Sequence, residues 1–218
     1  NYYDIISMSY LFLSCTELKM LKQATFIVLL GLSASAMADG WQVKVGASAI
    51  APTSDTNLNG IGVVKADSEL AFTPSVEYFF NDNFSAELLL AAPISHDVAI
   101  NGANAVKIKH LPPTITAKYN FKNSTGFTPY IGIGGTAFIA WDEETTGPLA
   151  GTSVKVKEDF GFAGQIGFNF QPADAKNWGV FADIRYAQLS PEVEVKNVTT
   201  FDLDIDPVIY TLGYSYKF

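Results

Sequence analysis

The 218-residue chain has one cysteine and two histidines, which excludes a disulfide-bonded scaffold and a cysteine-rich zinc module. Positive charge is also scarce, with 14 lysines and arginines against 22 aspartates and glutamates and a net charge of −8. Because phosphate binding needs a basic patch, this balance argues against a nucleic-acid partner. Hydrophobic residues make up 48% of the chain, which excludes a highly charged disordered protein.

Long apolar runs are absent except near the N-terminus, where residues 26–32 read FIVLLGL. This run is shorter than the roughly 20 residues that a helix needs to cross a bilayer. Met20 and Lys22 precede it, and residues 36–38 place small side chains at the alternate positions that a signal peptidase accepts. The pattern favours a secretory signal over the alternative, a short buried helix.

These observations divide the chain into three parts. Residues 1–19 are predicted to be a non-native upstream extension, because Met20 opens the better signal. Residues 20–38 are predicted to be a signal peptide that is cleaved near Ala38. Residues 39–218 then form a single domain without cysteine.

This domain repeats one pattern eight times: apolar side chains alternate with small or polar ones. The eight segments are residues 41–49, 69–80, 84–90, 114–121, 130–141, 159–170, 178–187 and 208–218. Period-two alternation is typical of a strand whose two faces meet different surroundings. The sequence therefore predicts an all-β fold of eight strands.

Two features indicate which face of these strands points outward. The polar face consists mostly of small residues, which fit the cramped interior of an eight-stranded barrel. The apolar face is rich in aromatics that gather at the strand ends, as the interfacial girdles of membrane barrels do. The aromatics predicted for one rim are Trp41, Tyr78, Phe80, Phe84, Tyr119, Phe121, Phe168, Phe170, Trp178, Tyr214, Tyr216 and Phe218, and those for the other are Trp141, Phe160 and Tyr186. A soluble lipocalin-like barrel, the alternative, needs the reverse orientation.

The connections between the segments alternate in length. Residues 81–83, 122–127 and 171–177 are short turns, whereas residues 52–68, 94–110, 142–158 and 189–206 are long. Outer-membrane barrels keep short turns in the periplasm and long loops outside the cell. We therefore predict an eight-stranded antiparallel transmembrane β-barrel in the bacterial outer membrane, with short periplasmic turns and long extracellular loops.

Three motifs carry a family resemblance. They are KHLPPT at residues 109–114, PYIGIG at residues 129–134 and YSYKF at residues 214–218. Together with the signal peptide and the eight strands, they resemble the OmpW/AlkL family of bacterial outer-membrane proteins over essentially all of residues 39–218. The resemblance implies a narrow barrel that takes up small hydrophobic molecules through a ligand channel near its outer end.

Inward side chains can be placed by height, with the turns as the floor and the loops as the roof. An interior charged plug is predicted from Lys44, Glu77, Glu87, Lys118, Asp183, Arg185 and Lys217, because opposite charges can pair across so narrow a lumen. Higher up, an apolar ligand channel open to the exterior is predicted from Ile50, Leu89, Phe138 and Ile209. The alternative is that these four side chains simply fill the upper barrel.

Three prolines suggest a sideways exit for a ligand that the plug stops. Pro93 follows the third predicted strand, and Pro112 and Pro113 precede the fourth. Proline removes a backbone donor from the strand ladder. We therefore predict a lateral exit between the third and fourth strands, although prolines at strand ends are also ordinary loop residues.

Neither enzyme activity, nor a metal, nor a cofactor is predicted. His96 and His110, with Ser95, lack a positioned acid and are interpreted as surface-loop residues. The run from Gly132 to Gly135 lies within a strand, where it provides room in a tight barrel and not a nucleotide cradle.

The predicted partners are small hydrophobic solutes and lipopolysaccharide or other outer-membrane lipid. Asp202, Asp204 and Asp206 form an acidic loop edge that divalent ions could bridge to lipopolysaccharide. The barrel is predicted to be a monomer. Two alternative functions remain open: a structural or adhesive barrel that acts through its loops, and a narrow ion-conducting pore.

Overall fold

A computed structural model describes residues 40–58 and 62–218, so the predicted signal peptide and upstream extension lie outside the described residues. The described strands are β1 (Trp41–Ala51), β2 (Thr56–Leu58), β3 (Gly62–Ala66), β4 (Glu69–Phe79), β5 (Phe84–Leu89), β6 (Ile94–Ile100), β7 (Ala103–Leu111), β8 (Thr114–Asn120), β9 (Phe127–Thr145), β10 (Val154–Val156), β11 (Asp159–Phe170), β12 (Trp178–Ala187), β13 (Glu192–Val195), β14 (Thr199–Asp202) and β15 (Val208–Lys217). A short 3-10 helix spans Gly147–Leu149. Within the described ranges, no helix is long and apolar enough to cross a membrane.

Eight strands pair antiparallel in a closed ring. Their order is β1, β4, β5, β8, β9, β11, β12 and β15. The first and last of them close the ring along ten residue pairs, from Gln42↔Lys217 to Ala51↔Val208. A closed ring leaves no strand edge facing lipid, where an unpaired backbone group would be costly. This arrangement confirms the predicted eight-stranded antiparallel barrel.

The barrel is apolar outside and polar inside. Leu70 on the outer face is 83% exposed, whereas the inward Lys44 is fully buried. Aromatic rings cluster at the end that carries the short turns, with ring centroids 4.8 Å apart for Trp41 and Tyr78. Such a surface is stable in a bilayer and not in water, which confirms the predicted orientation of the two faces.

The long connections, predicted as loops, contain seven further strands. Strands β2, β3, β6 and β7 continue the sheet beyond the barrel, and β7 pairs with the upper half of β9. Strands β10, β13 and β14 form a separate three-stranded sheet. We call these seven strands the outer extension. They share a buried apolar core that includes Val64, Val98, Val154, Val193 and Leu203.

Glycines in β9 make space inside the barrel. A Cβ atom on Gly134 would lie 1.8 Å from the carbonyl oxygen of Ile115, so no side chain fits there. A Cβ atom on Gly132 would lie 3.0 Å from Cγ of Lys118, whose long side chain crosses the lumen. The glycines therefore provide room in a tight barrel, as the sequence indicates.

Candidate functional site

A buried ionic network fills the middle of the barrel. Six of the seven residues predicted for the charged plug form it: Lys44, Glu77, Glu87, Lys118, Asp183 and Arg185. Lys118 Nζ lies 2.9 Å from a Glu77 oxygen and 2.8 Å from a Glu87 oxygen. Arg185 lies 3.1 Å from Glu87 and 3.2 Å from Asp183. Three cations face three carboxylates, so the network is neutral, which is the condition under which such charges can be buried.

The seventh predicted member does not join this network. Lys217 pairs with Gln42 at the turn end of the barrel, one inward position below Lys44. Its Nζ lies 4.3 Å from the ring centroid of Phe79, and its side chain is half-buried. Lys217 therefore belongs to the periplasmic mouth.

Two aromatic residues complete the network, although sequence reasoning assigned them no role. Tyr130 donates a hydrogen bond of 3.0 Å to Asp183, and its ring centroid lies 3.7 Å from Lys118 Nζ. The Phe181 ring lies 5.2 Å from Lys44 Nζ. Both aromatic side chains are at most 2% exposed. The sequence feature that could have identified them is their position on the otherwise polar face of their strands.

All four residues predicted for the ligand channel line one cavity above the network. Ile50, Leu89, Phe138 and Ile209 are each at most 8% exposed, and the cavity measures about 30 Å³. A layer of hydroxyl groups lies between the cavity and the charges. In this layer Ser48 Oγ lies 2.6 Å from Thr73 Oγ1 and 2.9 Å from Thr211 Oγ1. The barrel interior is thus ionic at mid-height and apolar toward its outer end.

A second cavity lies within the outer extension. It measures about 50 Å³, and its walls include Leu58, Ile100, Val195 and Phe201. Phe138 packs in the same apolar core and also lines the first cavity, which we call the lower cavity. Ligand pockets typically measure roughly 300–1,000 Å³. Both cavities are far smaller, so the predicted open channel is a packed apolar region whose walls must separate to admit a solute.

The ladder between the third and fourth barrel strands, β5 and β8, is interrupted at the predicted prolines. Pairing ends at Leu89↔Thr114 and resumes in the outer extension at Ile94↔His110. Between these pairs lie the exposed Pro93 on one side and Pro112 and Pro113 on the other, with no cross-strand pair among these described residues. Pro112 also lines the lower cavity.

The backbone on each side of this interruption remains bonded to its other neighbour. The amides of Leu90 and Ala92 donate to carbonyl oxygens of β4, at 2.8 and 2.9 Å. The Pro113 carbonyl accepts a hydrogen bond of 3.0 Å from Ala137 in β9. The interruption is therefore confined to the boundary between residues 90–93, which follow β5, and residues 111–113, which precede β8. We call this boundary the gap.

The interpretation of the two histidines as surface-loop residues is wrong. His96 and His110 are diagonal neighbours on β6 and β7, where they pair with Ile108 and Ile94, and they are 3% and 5% exposed. His96 Nδ1 and His110 Nε2 are 3.1 Å apart, and the His110 ring stacks on Phe138 with centroids 4.7 Å apart. Ser95 precedes His96 in the strand and so points to the opposite face. The error arose because the strands of the outer extension were not recognised.

The acidic edge is partly used within the fold. Asp204 accepts a hydrogen bond of 2.7 Å from Ser190, and Asp206 accepts one of 3.1 Å from the Leu189 amide. In the part of the chain that the structure describes, no three or more histidine, cysteine or acidic side chains are grouped to hold a metal. Contact with lipopolysaccharide stays a prediction.

We expect Glu87→Gln to destabilise the barrel by about 3–5 kcal/mol, because it leaves one uncompensated positive charge in the buried network. Glu87 is the residue that contacts Lys44, Lys118 and Arg185 together. The measurement is urea-induced unfolding in phospholipid vesicles. Glu158→Gln, an exposed change outside the strands, is the matched control and should shift the free energy of unfolding by at most about 0.5 kcal/mol. Equal effects of the two changes would contradict this role of the network.

Burial keeps the histidine pair neutral. Burial, together with the neighbouring His96, lowers the pKa of His110 from the ordinary 6.5 to about 3. Burial also lowers the pKa of His96, although the nearby carboxylates of Asp67 and Asp97 favour its charged form. An unfolded histidine binds a proton below pH 6.5, whereas folded His110 does so only near pH 3. The resulting stabilisation is complete above pH 6.5 and is lost as the pH falls toward 3.

We therefore expect the outer extension to lose about 2 kcal/mol of stability between pH 7 and pH 5 through His110. Hydrogen exchange of the β6 and β7 amides in lipid nanodiscs measures this loss, with the barrel strand β1 as an internal control. A variant with both His96→Leu and His110→Leu should lack most of the pH dependence. Unchanged pH dependence in that variant would refute the assignment.

Comparison with known proteins agrees with this geometry. Residues 37–218 match the OmpW family. The chain is 31% identical over 192 residues to outer membrane protein W of Vibrio cholerae, covering 81% of this chain and 87% of that protein. It is 24% identical over 177 residues to outer membrane protein AlkL of Ectopseudomonas oleovorans, covering 75% and 74%.

The fold is also similar to a solved structure. The crystal structure of the outer membrane protein OprG from Pseudomonas aeruginosa superimposes with a TM-score of 0.75 at 24% identity, covering 83% of this chain and 96% of that one. This likeness concerns the fold alone. The sequence match, the closed barrel and its apolar outer face together establish that the chain belongs to the OmpW family of outer-membrane β-barrel proteins.

Proposed function

We propose that this barrel takes up small hydrophobic molecules from outside the cell and releases them sideways into the membrane through the gap. The observation that carries the proposal is the lower cavity, which is lined by Ile50, Leu89, Phe138 and Ile209 and lies beside Pro112 at the gap. A barrel lumen of this width does not have to be apolar, because the lower half of the same barrel is filled with charges and hydroxyl groups. A solute that prefers this region over water has to be apolar.

The ionic network supports a sideways route over a straight one. Six charged side chains fill the lumen at mid-height, and each is at most 4% exposed. An apolar solute moving toward the periplasm would have to displace these paired charges and would offer them no hydrogen bonds in exchange. The same filling argues against a narrow ion-conducting pore, since buried and directly paired charges occupy the lumen where ions would have to pass.

The gap supports the exit step. The amides of Leu90 and Ala92 are hydrogen-bonded to β4, and residues 112–113 continue β8 toward β7 alongside β9. Separating these two segments therefore breaks no cross-strand pair between them. An apolar solute that leaves at this boundary moves from an apolar cavity into lipid and never crosses water.

We expect the double substitution Leu89→Asp with Phe138→Asp to abolish selective uptake of an apolar solute, because it places two carboxylates in the cavity wall. The measurement compares proteoliposome uptake of the apolar solute with that of a polar solute of equal size. Leu89→Ile with Phe138→Leu keeps the wall apolar and is the matched control. Leu89→Gln alone tests the same point if the double variant does not fold.

Three outcomes would contradict the proposal. Uptake of neither solute by a well-folded wild-type barrel would favour a structural or adhesive role through the outer extension. Persistent sub-nanosiemens conductance would favour an ion pore. Equal uptake by the wild type and the aspartate variant would show that transport does not depend on this cavity.

We expect Pro112→Ala with Pro113→Ala to reduce apolar uptake several-fold, because position 113 faces β9 and the donor restored at position 112 allows the ladder to extend across the gap. Pro172→Ala, in a short turn at the opposite end of the barrel, is the control and should leave uptake unchanged. Uptake by a correctly folded Pro112→Ala/Pro113→Ala barrel at the wild-type rate would argue against a lateral exit here.

A further inference from the structure

The two histidines of the chain are polar residues in the wall of the lower cavity. The cavity wall is mainly apolar, yet both His96 and His110 line it. Buried polar groups in proteins almost always have hydrogen-bond partners. Here His96 Nε2 and His110 Nδ1 are buried without a hydrogen-bond partner among the residues that the structure describes. Neither nitrogen is explained by an apolar lining alone.

The hydrogen bond within the pair determines what these two nitrogens offer. His96 Nδ1 and His110 Nε2 are 3.1 Å apart, so one of them donates a proton and the other accepts it. A neutral imidazole carries a single N–H group. If His96 donates through Nδ1, its Nε2 is an acceptor and His110 Nδ1 is a donor. If His110 donates through Nε2, the two free roles exchange.

In either tautomeric state the neutral pair therefore presents one free donor and one free acceptor. A hydrocarbon satisfies neither of them, and a carboxylate, which only accepts, satisfies one. A hydroxyl group donates one hydrogen bond and accepts others, so it can bind either free nitrogen in both tautomeric states. The pair is also placed where a ligand tail can remain apolar, because His110 stacks on Phe138 and Pro112 of the gap lines the same cavity.

We propose that the His96–His110 pair is a headgroup site, and that the molecules this barrel carries are apolar chains bearing one neutral hydrogen-bonding group, with a hydroxyl group as the preferred one. The proposal rests on the proposed uptake function and specifies its substrate class. The hydroxyl hydrogen-bonds to one of the free nitrogens, as donor or as acceptor, while the chain occupies the apolar wall beside the gap.

The test uses 1-octanol and octane as probes at pH 7.5, with the untagged full barrel in lipid nanodiscs. Each dissociation constant is corrected for partition of the probe into protein-free nanodiscs, and the ratio of the two corrected constants is the hydroxyl preference. We expect a preference of roughly tenfold or more for 1-octanol in the wild type. It should fall to about one in the variant with both His96→Leu and His110→Leu. Ser95→Ala, on the other face of β6, is the control and should keep the wild-type preference.

A spectroscopic measurement tests the site without relying on the variants. Because the chain contains two histidines, ¹⁵N-histidine labelling reports on this pair alone. We expect 1-octanol to shift the resonances of His96 Nε2 and His110 Nδ1, and octane to leave them nearly unchanged.

The outcomes separate this inference from the uptake function. Binding of both probes with a wild-type preference near one, or equal ¹⁵N shifts with both probes, would overturn the headgroup site and leave apolar uptake intact. Binding of neither probe would overturn both proposals.

Discussion

The structure depends on one constraint: inside a bilayer, every backbone amide and carbonyl must find its partner within the protein. The chain meets this constraint by closing eight strands into a ring. A ring of eight strands encloses a lumen only as wide as side chains, so whatever points inward must be packed and satisfied. The neutral network around Glu87, the glycines of β9 and the small residues of the polar face all follow from this narrow interior.

The chemistry of the lumen changes with height, and the same change is seen along the inward residues of a single strand. In β1 the successive inward residues are Lys44, Gly46, Ser48 and Ile50, which run from charge to hydroxyl to hydrocarbon. In β5 Glu87 is followed by Leu89 two positions later. Neighbouring strands keep the same heights because their registers are fixed by the ladder. The ionic, hydroxyl and apolar layers are therefore set by local sequence, although each layer is assembled from most of the chain.

The period-two pattern predicts the barrel well because alternation persists along whole barrel strands, such as the 11 residues of β1. It also brings six charged residues and four apolar ones to their observed levels. It fails in the outer extension, where β2 and β10 have three residues each and are defined by pairing with distant segments. His96 and His110 lie in the longer strands β6 and β7, and they were misplaced because these strands were not recognised within the long connection. Lys217 was assigned to the charged plug although it lies near the rim, because the sequence gives the phase of a side chain but not its distance from the rim.

The position of the gap along β9 has a consequence for where a solute would go. Strand β9 begins at Phe127, and the gap faces residues 136–139, about ten residues higher. Ten residues at ~3.4 Å each, tilted by about 40°, rise roughly 26 Å, close to the ~25 Å apolar band of outer-membrane barrels. The gap is therefore level with the external boundary of the hydrocarbon. A solute leaving there would enter the outer leaflet. Its passage to the inner leaflet would then be a separate step in which this barrel takes no part.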